Sequence, residues 1–340
     1  MTVMVGINGF GRIGRDYLRC VLSRGTDAVQ VVAVNDIGKP ETLAHLLRYD
    51  STYGPLTEPV TFDDGVMTVA GQQIRIFAEP DPAAIDWRGV GADVVIEASG
   101  RFRTREAAGA HLTGGARKVL LSAPGKDVDL SIVLGVNDDL YDPEQHHVIS
   151  NASCTTNCVA PMLDVLHREF GVRRGLMTTI HAYTNDQMLL DSPHKDLRRA
   201  RSAASSMIPT STGAARAVGL VIPDLAGRID GVAIRVPLED GSLTDLVVEL
   251  DEPVTAEQVN QVFAAAASTR LKGVLRYNED PIVSRDIIGD PASVVFDATL
   301  TQADGNLVKV FGWYDNEWGY ASRLADLTEI VARTLPGQEV

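Results

Sequence analysis

The feature that most constrains the fold is Gly9-Phe10-Gly11-Arg12-Ile13-Gly14, a G-x-G-x-x-G that follows the apolar run 3–8 and opens a helical pattern. The first glycine permits a tight turn, the second lets backbone approach a pyrophosphate, and the third lets helix pack on strand. The helix N-terminus then offers free N–H groups and a positive dipole end to the phosphates. Alone the motif is weak. Here Asp36 closes the next apolar run, 22 residues after Gly14, where a carboxylate can accept from both ribose hydroxyls of a dinucleotide. Together these features predict an NAD site. Asp36 would repel the 2′-phosphate of NADP, and Ile37 and Gly38 offer that phosphate no charge, although Lys39 does.

The rest of the first half supports the same architecture. Strand patterns at 3–8, 29–35, 94–98, 118–122 and 132–135 alternate with helical stretches after Gly11, Glu41 and Thr104, which implies a Rossmann-type, doubly wound α/β sheet. From about residue 174 the strands lengthen (175–183, 229–236, 243–250, 294–301 and 307–314) and helices thin out to 213–220 and 256–271. That pattern predicts an α+β domain with a mainly antiparallel sheet. The expected division is 1–153 for the dinucleotide domain and 154–317 for a catalytic domain, with a last helix over 318–340 carrying one apolar face.

A candidate nucleophile lies on that boundary. The run 148–151 reads as a strand end, and 155–170 carries apolar residues at helical spacing, so Cys154 falls at a helix N-terminus. The helix dipole and free N–H groups favour a thiolate there. A thiol of pKa ~8.5 is only about 3% ionised at pH 7, and a shift to roughly 6 by the helix end and an imidazole would make it about 90% thiolate. Pro161 removes a hydrogen bond inside the helix and predicts a kink. Cys158 shares a helix face with Cys154, which admits a disulfide or two-ligand metal reading, although two sulfurs do not complete a zinc site. No metal is expected.

Composition narrows the remaining classes. A net charge of −14 over 340 residues disfavours nonspecific binding to nucleic acid or anionic membrane, so any anionic ligand needs positive charge focused locally. The densest basic run, 195–201, is the place to look, although such runs are commonly salt-bridged surface. Three cysteines, two of them clustered, argue against a disulfide framework and for the reducing cytoplasm. No apolar stretch reaches membrane-spanning length, and the chain enters a strand at once, so no signal peptide is expected.

These signatures combine into a wider pattern. The chain resembles the phosphorylating, NAD-type glyceraldehyde-3-phosphate dehydrogenases of bacteria over essentially its whole length. The resemblance is carried by Asn8-Gly9-Phe10-Gly11-Arg12-Ile13-Gly14-Arg15, Ser150-Asn151-Ala152-Ser153-Cys154-Thr155-Thr156-Asn157-Cys158 and His181-Ala182-Tyr183-Thr184-Asn185-Asp186-Gln187. His194-Lys195-Asp196-Leu197-Arg198-Arg199-Ala200-Arg201, Ile208-Pro209-Thr210-Ser211-Thr212-Gly213-Ala214-Ala215 and Trp313-Tyr314-Asp315-Asn316-Glu317-Trp318-Gly319-Tyr320 extend it. It implies that Cys154 attacks an aldehyde to give a hemithioacetal, with His181 as the base. Hydride transfer to nicotinamide then leaves a thioester, which inorganic phosphate cleaves to an acyl phosphate. Thr184, Arg199 and Arg235 would hold the substrate's phosphate, while Ser153, Thr155, Thr212 and Gly213 would hold the attacking one. Gly9 through Gly14, Asp36, Ser99, Gly100, Ser122 and Asn316 would serve the cofactor. The segment 184–207 would line a neighbouring subunit's cofactor site in a homotetramer, and the last helix would return to the first domain.

Three positions depart from the family pattern. Tyr53 stands where many members have histidine, Pro80 where many have an arginine beside the adenine, and Ser192 where the most similar pattern has leucine; Pro193 is retained. Two alternatives compete. Erythrose-4-phosphate dehydrogenases share the cysteine motif but lack the Thr184-Asn185-Asp186 and Thr210-Ser211-Thr212-Gly213 elements. A non-catalytic NAD-sensing or partner-binding protein on this scaffold would be signalled by loss of Cys154 or His181, and both are present.

Overall fold

Alternating strands and helices in the first half build one sheet, and longer strands in the second half build another. The computed structural model describes residues 2–25 and 28–335, which fall into two units. The first unit comprises the chain up to Ile132, Asp139–Ala152 and the segment from Ala321 onward. In chain order it contains β1 (Val3–Asn8), α1 (Arg12–Arg24), β2 (Val29–Asn35), α2 (Pro40–Arg48), β3 (Val60–Asp63), β4 (Val66–Val69), β5 (Gln72–Phe77), β6 (Val94–Glu97), α3 (Arg105–Thr113), β7 (Lys118–Leu121), β8 (Leu130–Ser131) and β9 (Val148–Ser150).

Its nine strands run in the order β3-β4-β5-β2-β1-β6-β7-β9-β8. The run from β5 to β8 is parallel throughout. Val3, Val5, Ile7, Val94, Val95, Ile96, Val119 and Leu120 are wholly buried, as expected for strands with both faces covered. Because β2 and β6 flank β1, the segments following Asn8, Asn35 and Glu97 emerge at the same carboxyl edge.

Two local features differ here from the sequence reading. The hairpins β3-β4 and β4-β5 were not anticipated, although Asp64-Gly65 and Ala70-Gly71 carry the paired positive φ of two-residue hairpin turns. The expected strand 132–135 is instead a turn. Asn137 Oδ1 accepts the Val133 amide and Asp138 Oδ1 the Gly135 amide, with Gly135 at φ +76°. Ile132 still donates its amide to Ser150 O of β9 at 2.8 Å, and Ile132, Val133 and Leu134 are all buried.

The second unit comprises Val133–Asp138 and Ser153–Tyr320. It contains α4 (Cys154–Phe170), β10 (Val172–Ala182), β11 (Ile208–Ser211), α5 (Ala214–Val221), β12 (Ile229–Val236), β13 (Ser242–Leu250), α6 (Ala256–Ser268), β14 (Leu275–Asn278), β15 (Val294–Asp297), β16 (Gln302–Asp304) and β17 (Leu307–Tyr314). The sheet order is β11-β12-β10-β13-β17-β15-β14, with β16 paired to β17. It is mainly antiparallel, but β10 pairs with β12, and β14 with β15, in parallel. β15 stops at Asp297, short of the expected residue 301, because the Asp297 carboxylate caps a short 3₁₀ turn.

Pro161 does not break α4. Every residue from Thr155 to Leu166 is buried, and that packing holds the helix through the missing hydrogen bond. The final helix, α7, is Trp318–Ala332. It stops short of the expected 318–340, of which 336–340 lie outside the described residues. Within the first unit its far end is tied to α1: Tyr17 Oη lies 3.1 Å from Thr328 Oγ1, and Arg24 pairs with Asp326 at 2.7 Å and Glu329 at 2.9 Å. Among the described residues no helix is long and apolar enough to cross a membrane.

Candidate active site

Ser153 starts α4. Its Oγ accepts the Thr156 amide at 3.1 Å, so Cys154 becomes the first helical residue, partly exposed at the helix mouth. β10 brings His181 to the thiol from another direction, with Nε2 3.5 Å from Cys154 Sγ. The parallel register of β10 with β12 sets His181 beside Arg235. Nη1 of Arg235 lies 2.8 Å from His181 Nδ1 and 3.1 Å from Ala182 O, while His181 Nδ1 is 2.7 Å from the same carbonyl.

This arrangement makes the imidazole hard to charge. Burial, then the adjacent Arg235 cation, pushes His181 down to about 3. Burial also raises the Cys154 thiol, with Arg235 the foremost opposing influence and Thr155 contributing donors. The sequence reading expected helix and imidazole to lower the thiol. Burial outweighs those influences and moves the thiol the other way, with the Arg235 cation partly offsetting it.

Tyr314, given no role in the sequence reading, completes the cluster. Its hydroxyl lies 2.9 Å from Thr155 Oγ1 and 2.8 Å from Thr179 Oγ1, and its ring meets His181 edge-on at 5.9 Å. Thr179, two residues before His181, shares its face of β10. That period-two relationship was the available signal. Cys158 faces Gly312 O at 3.6 Å, and Cys20, Cys154 and Cys158 are all free thiols. Among the described residues no cluster of three or more His, Cys, Asp or Glu side chains is placed to hold a metal.

Arg199 pairs with Asp186 and donates from Nε to Thr210 Oγ1 at 3.0 Å and from Nη2 to Ser211 O at 3.0 Å. Arg201 pairs with Asp191, so the basic run 195–201 is in part salt-bridged. Thr212 Oγ1 accepts the Ala214 amide at the start of α5, and Gly213 has open space where a Cβ would stand. Thr184 begins a turn closed by Gln187. Asn316 is buried, its Oδ1 accepting from Ser242 Oγ at 2.6 Å.

The residues expected to serve the dinucleotide lie in the first unit, apart from Asn316, which belongs to the second. Gly9 has φ +94°, and a Cβ there would lie 2.4 Å from the Ser99 amide nitrogen. At Gly11 a Cβ would meet nothing within 4 Å, and no side chain caps α1, which leaves room and donors for a pyrophosphate. Asp36 holds both flanking loops, accepting the Phe10 amide on Oδ2 and the Gly38 amide on Oδ1, each at 2.8 Å. Arg12 pairs with Asp50 and lies 5.6 Å from the centre of the Tyr53 ring, which gives the departure at 53 a local partner. Ile13 and Gly14 continue α1, and the Ser122 amide donates to Glu97 O just beyond β7. Backbone shape at Gly9 and Gly11 thus fits NAD.

A dinucleotide-type α/β unit, in one chain with a unit that sets a thiol against an imidazole, defines a thiol-bearing dehydrogenase. The chain belongs to the glyceraldehyde-3-phosphate dehydrogenase family. Residues 3–105 match the family's NAD binding domain and residues 153–316 its C-terminal domain. The glyceraldehyde-3-phosphate dehydrogenase of Streptomyces coelicolor is 58% identical over 337 residues, covering 98% of this chain and 100% of that protein. That of Geobacillus stearothermophilus is 54% identical over 333 residues, covering 98% and 99%. That of Mycobacterium avium is 54% identical over 340 residues, covering 98% and 100%.

Proposed function

We propose that this chain oxidises D-glyceraldehyde 3-phosphate to 1,3-bisphosphoglycerate with NAD and inorganic phosphate. The observation that carries this reading is the Cys154–His181 pair at 3.5 Å, with Arg235 against the imidazole, in a chain of this family. Residues 1–153 form the NAD-binding domain and 154–317 the catalytic domain. Cys154 Sγ gives up its proton to His181 Nε2 and adds to the aldehyde carbon, and the imidazolium returns that proton to the new alkoxide, giving a hemithioacetal and a neutral His181. His181 then takes the hemithioacetal hydroxyl proton as the carbonyl re-forms, leaving a thioester on Cys154. NAD, when bound, supplies the hydride acceptor for that oxidation. A phosphate oxygen attacks the thioester carbonyl, the Cys154 thiolate leaves, and the acyl phosphate keeps the energy that hydrolysis would lose.

In this reading Thr184, Arg199 and Arg235 hold the phosphate of the aldehyde. The hydroxyls of Ser153, Thr155 and Thr212, with the Gly213 backbone, hold the incoming phosphate. Gly9 through Gly14, Asp36, Ser99, Gly100 and Ser122 serve NAD, and Asn316 orients its nicotinamide. The same reading makes the protein a cytoplasmic homotetramer. In support, Leu189, Leu190, Leu197 and Met207 are each at least 74% exposed within one segment of the single chain, a concentration of apolar surface that a neighbouring subunit would cover.

The test is NADH formation from glyceraldehyde 3-phosphate with and without phosphate, repeated with Cys154→Ser and with NADP. Phosphate-dependent turnover that disappears in the variant supports the assignment, and the cofactor ratio tests Asp36. Turnover with erythrose 4-phosphate alone, or reduction indifferent to phosphate, would overturn it.

A further inference from the structure

Glu97, the last residue of β6, is a carboxylate only 3% exposed in a mostly apolar unit. Four donors meet it. Oε2 accepts from Asn8 Nδ2 at 2.6 Å and from His111 Nε2 at 2.9 Å, and Oε1 accepts from the Ser99 amide at 2.8 Å and the Ser99 hydroxyl at 2.5 Å.

The chemistry of the partners fixes every direction. Trp87 Nε1 can only donate, and it lies 3.0 Å from His111 Nδ1, so His111 carries its proton on Nε2 and points it at Glu97. Asn8 Oδ1 accepts from Asn35 Nδ2 at 2.7 Å, which turns the other end of the Asn8 amide to Glu97. Asn35 in turn exchanges two hydrogen bonds with the backbone of Glu79, at 2.9 and 2.8 Å. Asn8 immediately precedes Gly9, and Asn35 immediately precedes Asp36. A single buried network therefore links three adjacent strand ends, and Glu97 is its acceptor.

A second observation connects this network to the cofactor loop. Gly9 packs so closely on Ser99 that an added Cβ would stand 2.4 Å from the Ser99 nitrogen and 2.5 Å from its Cα. Displacement of Ser99 therefore reaches the glycine loop directly. The Ser99 hydroxyl proton is also spent on Glu97, which leaves the local backbone rather than that O–H to face a ligand.

We propose that Glu97 is a positioning residue for NAD: its carboxylate seats Ser99 against Gly9 and so sets the form of the loop that receives the dinucleotide. This rests on the cofactor reading above. Both carboxylate oxygens must accept, because each faces two donors. Glu97→Gln keeps the size of the side chain but turns an N–H₂ group toward one pair of donors, leaving buried donors opposed.

The experiment measures the Kd for NAD by calorimetry, the aldehyde KM at saturating NAD, and Tm. For Glu97→Gln the Kd should weaken by about tenfold to a hundredfold, with the aldehyde KM unchanged. Should that variant not fold, Ser99→Ala removes the hydroxyl bond and keeps the amide bond; its Kd should weaken a few-fold while Tm and aldehyde KM hold. An unchanged Kd in a folded Glu97→Gln chain, or in Ser99→Ala where that variant stands in, overturns the proposal, as does an equal loss toward NAD and aldehyde. A wild-type chain that binds no NAD overturns the cofactor reading and this proposal with it.

Discussion

Ser242 Oγ donates to Asn316 Oδ1 across 2.6 Å while accepting the Ala182 amide at 3.2 Å. Both side chains are buried. With its oxygen committed to Ser242, Asn316 presents its N–H₂ group as the end able to meet a carbonyl. The residue next to His181 is thereby connected to the side chain read as orienting the nicotinamide.

Ser242→Ala should free the Asn316 amide to turn over. Loss of one buried hydrogen bond of this kind corresponds to about a tenfold effect, expected as a raised KM for NAD and a lowered kcat. Steady-state kinetics at varied NAD check this. An unchanged KM and kcat would show that the amide is held by other means.

Arg235→Leu should move the ionisation of the site to higher pH. The cation is the foremost influence lowering the Cys154 thiol and also lowers His181, so both groups should titrate upward without it. A displacement of roughly one pH unit is expected for an opposite charge at this range. It would be read from the rate of Cys154 alkylation by iodoacetamide as a function of pH. A profile that stays in place or moves to lower pH would remove Arg235 from the account of thiol reactivity.

Asp240 sets a pH dependence of stability. It is buried and hydrogen-bonded to Asp315, whose own carboxylate accepts the amides of Gly289, Glu317 and Trp318. Burial, then the charges of Asp315 and Glu317, pushes Asp240 from its ordinary 3.8 up to about 9. The folded state therefore holds a proton that the unfolded chain releases between those values. The stabilisation is fully present below 3.8, declines as pH rises, and is lost on passing about 9. Asp240→Asn mimics the protonated acid, so its Tm advantage over wild type should widen from pH 5 to pH 9. A Tm difference that stays flat over that range would contradict the shared proton.

Much of the fold could be read from sequence because burial leaves a pattern. The doubly covered strands β1, β6 and β7 appear as apolar runs, and the spacing from Gly9 to Asp36 marks a dinucleotide-type unit. Cys154 and His181 were legible through type and motif. The hairpins β3 to β5 were less so, since short half-exposed strands have mixed composition, although Asp64-Gly65 marked the turn. The position of the cation that opposes burial at the thiol was not legible at all. It depends on the register of β10 with β12, which brings Arg235 to His181 from 54 positions away. Tyr314 and Ser242 were hidden for the same reason: only pairing across the second sheet gives them neighbours.

The bonds from α1 to α7 bear on how the molecule is made. Tyr17 and Arg24 find Thr328, Asp326 and Glu329 only after nearly the whole chain has been synthesised. The unit whose sequence leaves the ribosome first is thus the last to acquire all its contacts, while the intervening unit has its complete sequence earlier. A nascent or truncated chain ending before α7 leaves that face of α1 without its partner.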